Sequence, residues 1–394
     1  MRKWWLILST YMLAALLTFT GCTLSNPKET VMDTAVSSQP TTVVNTTDST
    51  INEQYEDGVY MLHGSFGFYK GSKDMSEIQT ITFANTKPTE YDECWNANMA
   101  DTEDIKGYLV GNDVVIVGGY IYANPRCTYM FAAHNSYGEP LWSNLTDIYG
   151  LELLNTSCVE NMKMMFAYTK LTELNGIGQW DVSNVKSFAG MFQGNDHAGD
   201  VKLAHLDIGA WDTSSAQNMS HMFYGCGLME YIPVENWDVS NVTTFSHMFA
   251  DCYNLKSVDF SKWQTTSAES FDGFLNDCHS LVAVDVSSLD TGLCTRFSQM
   301  FESCVNLEQI IGLELWDVSK ASDYAFSETF HCCYKLKELN LSNWVTAPDN
   351  TARMFKNCYS LRRLDLSGFD MSNNQHTDEM FMNCGSLTEV VGLD

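Results

Sequence analysis

A phrase of about 26 residues, repeated from near residue 127 onward, constrains this chain more than any other feature. Its clearest copy reads W-D-V-S-N-V-T-T-F-S-H-M-F-A-D-C-Y-N-L-K-S-V-D-F-S-K-W, from Trp237 to Trp263. The Met-Phe anchor of that copy, or a substitute for it, recurs at Phe131, Phe166, Phe192, Phe223, Phe249, Leu275, Phe301, Phe330, Phe355 and Phe381. Most intervals are 25 or 26 residues, and the longer ones hold loop insertions. A fixed period of this length means stacked units, because one unit cannot bury its apolar face alone and needs its neighbours to cover it.

Two apolar spacings alternate within each unit. The first is L-x-x-L-x-L, as in Leu336-Lys337-Glu338-Leu339-Asn340-Leu341 and Leu361-Arg362-Arg363-Leu364-Asp365-Leu366. It is the strand signature of a leucine-rich repeat, whose strands stack into one parallel sheet. The second places Val242, Phe245, Met248 and Phe249 at i, i+3, i+6 and i+7, one face of a short helix. Ser240 or Asn241 stands ahead of it as the expected cap, and Ser183, Ser214, Ser319 and Ser372 hold the position of Ser240. The expected fold is an α/β solenoid of the leucine-rich-repeat type, with one parallel strand and one short helix per repeat. About ten repeats fill residues 127–394. Residues 58–126 read as a β-rich N-terminal cap, because Ile78 to Phe83 alternates apolar and polar and Gly111-Asn112-Asp113 sits between two apolar runs. Without a cap the first repeat would expose its apolar cross-section to water.

The N-terminus reads as an export signal. Arg2 and Lys3 precede an apolar run over residues 4–19, too short to span a membrane comfortably. The run ends in Phe19-Thr20-Gly21-Cys22, which resembles a bacterial lipobox, with Phe19 where that motif usually has an aliphatic residue. The resemblance implies a lipoprotein signal over residues 1–22, a lipid on Cys22, a membrane partner through that lipid and no transmembrane helix in the mature protein. Residues 23–57 are rich in Thr and Ser, cannot bury enough apolar surface to order themselves, and read as a disordered tether. The net charge of −27 argues against nucleic acid or an anionic membrane surface as a partner, since both need a basic face.

Three columns of the repeat carry chemically distinctive side chains. Cys226, Cys252, Cys278, Cys304, Cys333, Cys358 and Cys384 fall three residues after the anchor, with Thr169 and Asn195 in the same position of earlier repeats. Stacking at about 5 Å would permit bridges by distance, but parallel side chains and the Thr and Asn replacements favour free thiols packed as small hydrophobes. Trp180, Trp211, Trp237, Trp263, Trp316 and Trp344 could stack against sugar rings, although Leu289 and Phe369 at the same position favour a core role. Asp207, Asp259, Asp285 and Asp365, with Asn340 in line, take the fifth position of L-x-x-L-x-L, which faces outward in leucine-rich-repeat geometry. Two readings stand for them: a stripe for a cation or basic partner, or turn chemistry in which each side chain bonds to the Ser turn that follows. His331-Cys332-Cys333 is the one dense Cys/His patch, and one of its residues belongs to the core column, so neither a metal site nor a cofactor is expected. The chain holds no G-x-S-x-G elbow, H-E-x-x-H pair, P-loop or dinucleotide glycine fingerprint, so no enzyme is expected.

The pattern W-D-x-S-N-V-x-x-M-x-x-M-F-x-x-C-x-x-L resembles the BspA-like leucine-rich-repeat surface proteins and the related repeats of mycoplasma and gut-bacterial lipoproteins. The resemblance covers roughly residues 127–394, and Ile78 to Ala123 is similar to the segment that precedes those repeats. It implies a protein lipid-anchored on the outside of a bacterial cell, binding protein or cell-surface ligands such as host extracellular matrix through an extended repeat face. A passive coat or spacer is the alternative. Specificity is expected at the variable positions between the leucines, such as Lys256, Ser257, Arg362 and Arg363. The chain stops at Val390-Val391-Gly392-Leu393-Asp394, part-way through a strand-turn unit, which points to a continuation or to a partner copy over the last repeat.

Overall fold

A computed structural model describes residue 62 and residues 67–101, 103–195, 201–322 and 324–393. All of them lie in one compact unit, Glu56–Asp394. The export signal, Cys22 and the tether fall outside the described residues. Among the described residues no helix is long and apolar enough to cross a membrane.

The N-terminal strands are β1 (Thr80–Ala84), β2 (Glu93–Asn96), β3 (Ile105–Val110) and β4 (Asp113–Gly118). β1 buries Ile81 and Phe83 and leaves the residues between them half-exposed, as its alternation requires. β3 and β4 form an antiparallel hairpin around Gly111-Asn112, where Gly111 takes a φ of 62° that costs glycine nothing. Two strands follow, β5 (Ile121–Tyr122) and β6 (Asp147–Tyr149), and then β7 (Leu154–Asn155). The sheet order is β2-β3-β4-β1-β6, with β1 parallel to both β4 and β6, and β5 pairs in parallel with β7. β6 thus ties residues beyond 126 to the N-terminal sheet.

From there the backbone winds into coils joined by two parallel ladders, which makes the body a repeat solenoid. The first ladder is built by the L-x-x-L-x-L segments. β8 (Ala283–Asp285) pairs with β9 (Gln309–Ile311), and β10 (Glu338–Asn340), β11 (Arg363–Asp365) and β12 (Glu389–Val391) pair in sequence. The second ladder runs through the segments expected to be helical. In one of them, the N–H groups of Phe245, His247, Phe249 and Asp251 donate to the Ser270, Asp272, Phe274 and Asn276 carbonyls of the next coil at 2.7–3.0 Å. The intervening N–H groups of Met248, Ala250 and Cys252 close three-residue turns onto Phe245, His247 and Phe249.

The short helix per repeat is therefore replaced by a run of overlapping turns. An α-helix needs N–H groups bonded four residues back and a cylinder about 10–12 Å across. Successive anchor rings stand 5.6 Å (Phe223 to Phe249) and 5.7 Å (Phe301 to Phe330) apart, so a helix in every coil has no room. In most turn runs two residues also take the left-handed region, His247 (φ 55°) and Asp251 (φ 58°) in this copy, which interrupts helical winding. The i, i+3, i+6, i+7 spacing arose from turns of about three residues, a period close enough to 3.6 to imitate a helix. The cap differs as well. Asp238 Oδ1 accepts from the Ser240 backbone N–H at 3.0 Å and from its hydroxyl at 2.7 Å, so the Asp of W-D-x-S is the capping residue and the Ser is capped. Asp181 with Ser183 and Asp317 with Ser319 repeat the geometry.

The core lies between the two ladders, filled by columns of identical side chains. The anchor rings stack nearly parallel, with interplanar angles of 1° for Phe166–Phe192 and 3° for Phe355–Phe381. Each Trp of the column is buried and its indole N–H donates to a carbonyl of the preceding coil, as from Trp237 to Ile208 at 3.0 Å and from Trp263 to Val234 at 2.9 Å. The described cysteines are free thiols. Those of the column donate S–H to the preceding anchor carbonyl, as Cys278 does to Phe249 at 3.3 Å and Cys358 to Phe330 at 3.1 Å. Thr169 in the same column also donates, to Phe166 at 3.1 Å. A small donor is what the position requires, which a purely apolar plug does not explain.

Candidate binding face

The L-x-x-L-x-L segments turn three residues outward and three inward. Inward, Leu255, Val258 and Phe260 are buried, as are Leu336, Leu339 and Leu341. Outward stand three columns whose members change from coil to coil, while the backbone beneath them is held by the ladder.

The column at the second position carries charge pairs that bridge adjacent coils. Lys256 meets Glu230 at 2.6 Å and Lys337 meets Glu308 at 2.5 Å. In the next column Arg363 meets Glu389 at 3.4 Å. All are solvent-exposed, so each contributes little stability and remains available to exchange partners. Exposed apolar side chains, Val282 and Ile311, are set among them.

The acidic column has a more local role than a continuous stripe. Asp259 Oδ1 accepts from the Ser261 N–H at 2.8 Å, Asp285 from Ser287 at 2.9 Å, Asp365 from Ser367 at 3.0 Å and Asn340 from Ser342 at 3.1 Å. The Ser261 N–H and hydroxyl hold the Asp259 carboxyl below the usual range, and the Ser367 hydroxyl and N–H do so for Asp365. Asn340 and Asp365 are direct ladder partners, whereas Asp285 faces Ile311. Pro233 separates Asp207 from Asp259 at the same repeat position. Asp259 and Asp285 hold this position in adjacent coils, whereas Ile311 and Asn340 stand between Asp285 and Asp365. Among the described residues no three His, Cys, Asp or Glu side chains converge in a metal-binding arrangement.

Over β9, β10 and β11 the face deepens into a groove of about 590 Å³. Ile310 and Leu339 supply its apolar part, and Glu308, Lys337, Glu338 and Arg363 its charged walls. Arg363 was legible in the sequence as a variable position; the hollow around it was not, because it follows from how three coils stack.

A second cluster lies on the turn ladder. Glu302 Oε1 and His331 Nδ1 stand 2.9 Å apart, and in the neighbouring position the Cys332 sulfur accepts from Asn357 Nδ2 at 3.3 Å. The dense His331-Cys332 pair was visible in the sequence, but Glu302 joins it only through stacking, 29 residues away.

Residues 127–229, 197–311 and 274–392 match the family described as Mycoplasma protein of unknown function, DUF285. The matches cover most of the chain. This protein belongs to that family. No curated protein matches it. Among solved structures, it is similar to a leucine-rich repeat protein from Bacteroides ovatus (15% identity, 79% of this chain and 68% of that one, TM-score 0.32). It is also similar to a leucine-rich cell surface protein from Faecalibacterium prausnitzii (14% identity, 86% of this chain and 94% of that one, TM-score 0.31). A leucine-rich repeat protein from Eubacterium ventriosum is comparable (13% identity, 76% and 84%, TM-score 0.28). For this family member the matched region begins at Cys127 and takes in both ladders.

Proposed function

We propose that this chain is a lipid-anchored bacterial surface protein that binds macromolecular partners through the outward strand face, in adhesion to host matrix or other cells. The groove over β9–β11 carries the reading. There, charged side chains stand over a partly buried apolar floor, in fixed positions on a backbone already held by its ladders, so little ordering entropy opposes binding. The anchor rests on the lipobox-like Cys22 and the tether that follows it.

Retention of the full chain on immobilised matrix proteins, host cells and bacterial cells tests the role. Lys337→Glu combined with Arg363→Glu is expected to weaken retention about tenfold, as loss of groove charge at a binding centre does. Failure of the unaltered chain to be retained on any of these surfaces would favour the passive coat. The acidic column is tested in the same assay: unchanged retention of an Asp259→Asn, Asp285→Asn double variant leaves those carboxylates with their turn chemistry alone.

A further inference from the structure

We propose that the corner of the solenoid just ahead of β10 and β11 binds a sparsely charged acidic polysaccharide, with Lys335, Lys337 and Arg362 taking its charges and Tyr359 a sugar face. Such a ligand gives the adhesive role proposed above a partner, and the inference rests on that role.

The net charge of −27 is unevenly spread along the chain. Residues 335–363 hold six Lys and Arg side chains against two Asp and Glu. Arg353 and Lys356 belong to the turn ladder, where Glu328 and Glu379 pair with them. Arg363 lies on the strand face between its ladder partners Glu338 and Glu389, which offset it. The remaining three stand at the corner, and all are exposed. Lys337 meets Glu308 at 2.5 Å, whereas Lys335 and Arg362 make no ion pair among the described residues. The Arg362 N–H donates to the Lys337 carbonyl at 2.8 Å, so these two cations share one column in adjacent coils. Thr388 comes next in that column, its N–H donating to the Arg362 carbonyl at 3.0 Å, so no carboxylate follows there. Exposed charges more than about 8 Å away are largely screened at physiological salt, so the acidity of the distant coils does not cancel the patch.

An aromatic ring borders the same patch. The column two residues ahead of the first leucine holds Tyr253 against His279 and Tyr334 against Tyr359, each pair with ring centroids 5.0 Å apart. Tyr359 lies three residues ahead of Arg362 and is 48% exposed. In the following coil this place is Gly385, where a Cβ would meet nothing within 4 Å. Tyr334 therefore covers one side of the Tyr359 ring, and the next coil sets no side chain against the other. A bare aromatic face attracts the C–H groups of a sugar ring, because the π-cloud is negative and those hydrogens are positive.

Ring and cations together select among polyanions. A nucleic-acid strand carries a phosphate about every 3.4 Å and needs a longer run of cations than this corner holds. An acidic peptide would use the cations and leave the ring idle. A polysaccharide whose carboxylates or sulfates are separated by uncharged sugar faces uses both.

The test is titration of fluorescein-labelled chondroitin sulfate oligosaccharides with the full chain at physiological salt, read by fluorescence polarisation. Saturable binding is expected. Arg362→Glu and Tyr359→Ala, neither of which lines the groove over β9–β11, are each expected to weaken it about tenfold. Lys262→Glu, an exposed charge reversal several coils away, is expected to leave it unaltered. Absence of binding, or binding unchanged in both corner variants, would overturn the proposal. Equally tight binding of poly-glutamate or of a single-stranded oligonucleotide would also overturn it, since the patch would then take any polyanion. Should Tyr359→Ala fail to fold, Arg362→Glu decides, because its side chain is exposed. Retention of the chain on matrix proteins without polysaccharide binding sinks this inference and leaves the adhesive role standing. Polysaccharide binding without retention on any of the surfaces named above supports the site and removes the adhesive role.

Discussion

The Phe260 carbonyl receives a hydroxyl where its counterparts in other coils receive an indole. Ile208 and Val234 each take a Trp N–H from the following coil, but the residue that would serve Phe260 is Leu289. Ser288, one residue earlier, fills the gap with its Oγ at 2.6 Å. That carbonyl already closes its own turn with the Trp263 N–H at 2.8 Å, so the hydroxyl is its second donor. Ser288→Ala is expected to cost about 1 kcal/mol, the net worth of one such bond, measured by chemical denaturation. The exposed neighbour Ser287→Ala should shift stability by less than about 0.5 kcal/mol. The same logic explains the cysteine column: Cys and Thr169 share a donor, which was legible in the sequence only as similarity of size.

At the scale of one coil, the decisive element is the turn run that replaces the expected helix. Its far-UV circular dichroism should lack the helical double minimum; a strong helical signal would contradict the turn ladder. Gly273 shows why the run is sensitive. It sits at a φ of 58°, and a Cβ there would come within 2.5 Å of the His247 ring. Gly273→Ala is expected to destabilise by about 1–2 kcal/mol from the backbone alone. A stability equal to that of the unaltered chain would mean the run relaxes out of the left-handed region. Sequence spacing could not separate the two structures, because both bring every third or fourth residue to one face.

For the whole molecule, stacking couples each coil to its neighbours, so a local charge acts on a shared body. His221 and His247 stack in adjacent coils with ring centroids 5.0 Å apart. Burial, and then the neighbouring His247, lower His221 to about 4, and burial lowers His247. Unfolded histidines take protons near 6.5. Between pH 6.5 and about 4 the unfolded chain therefore binds more protons than the folded one, so stability is full above that window and falls as pH drops through it. Thermal melts should show this acid softening. His221→Gln should flatten it, and a slope unchanged in that variant would assign the softening to other groups.

What the sequence alone determined was the period, the inward and outward residues of the L-x-x-L-x-L segments, and the burial of Trp, Phe and Cys columns. These follow from local alternation and from identical residues recurring at one register, and neither depends on knowing the distance between coils. That distance was decided only by the tertiary structure. Coils about 5–6 Å apart exclude a helix and make donors of the column Cys and of Ser288 to the preceding coil. They also bring Glu302 to His331 and hollow the groove beside Arg363. Contacts between residues some 25–29 positions apart depend on the pitch of the stack, and pitch is a property of the packed coils rather than of any one of them.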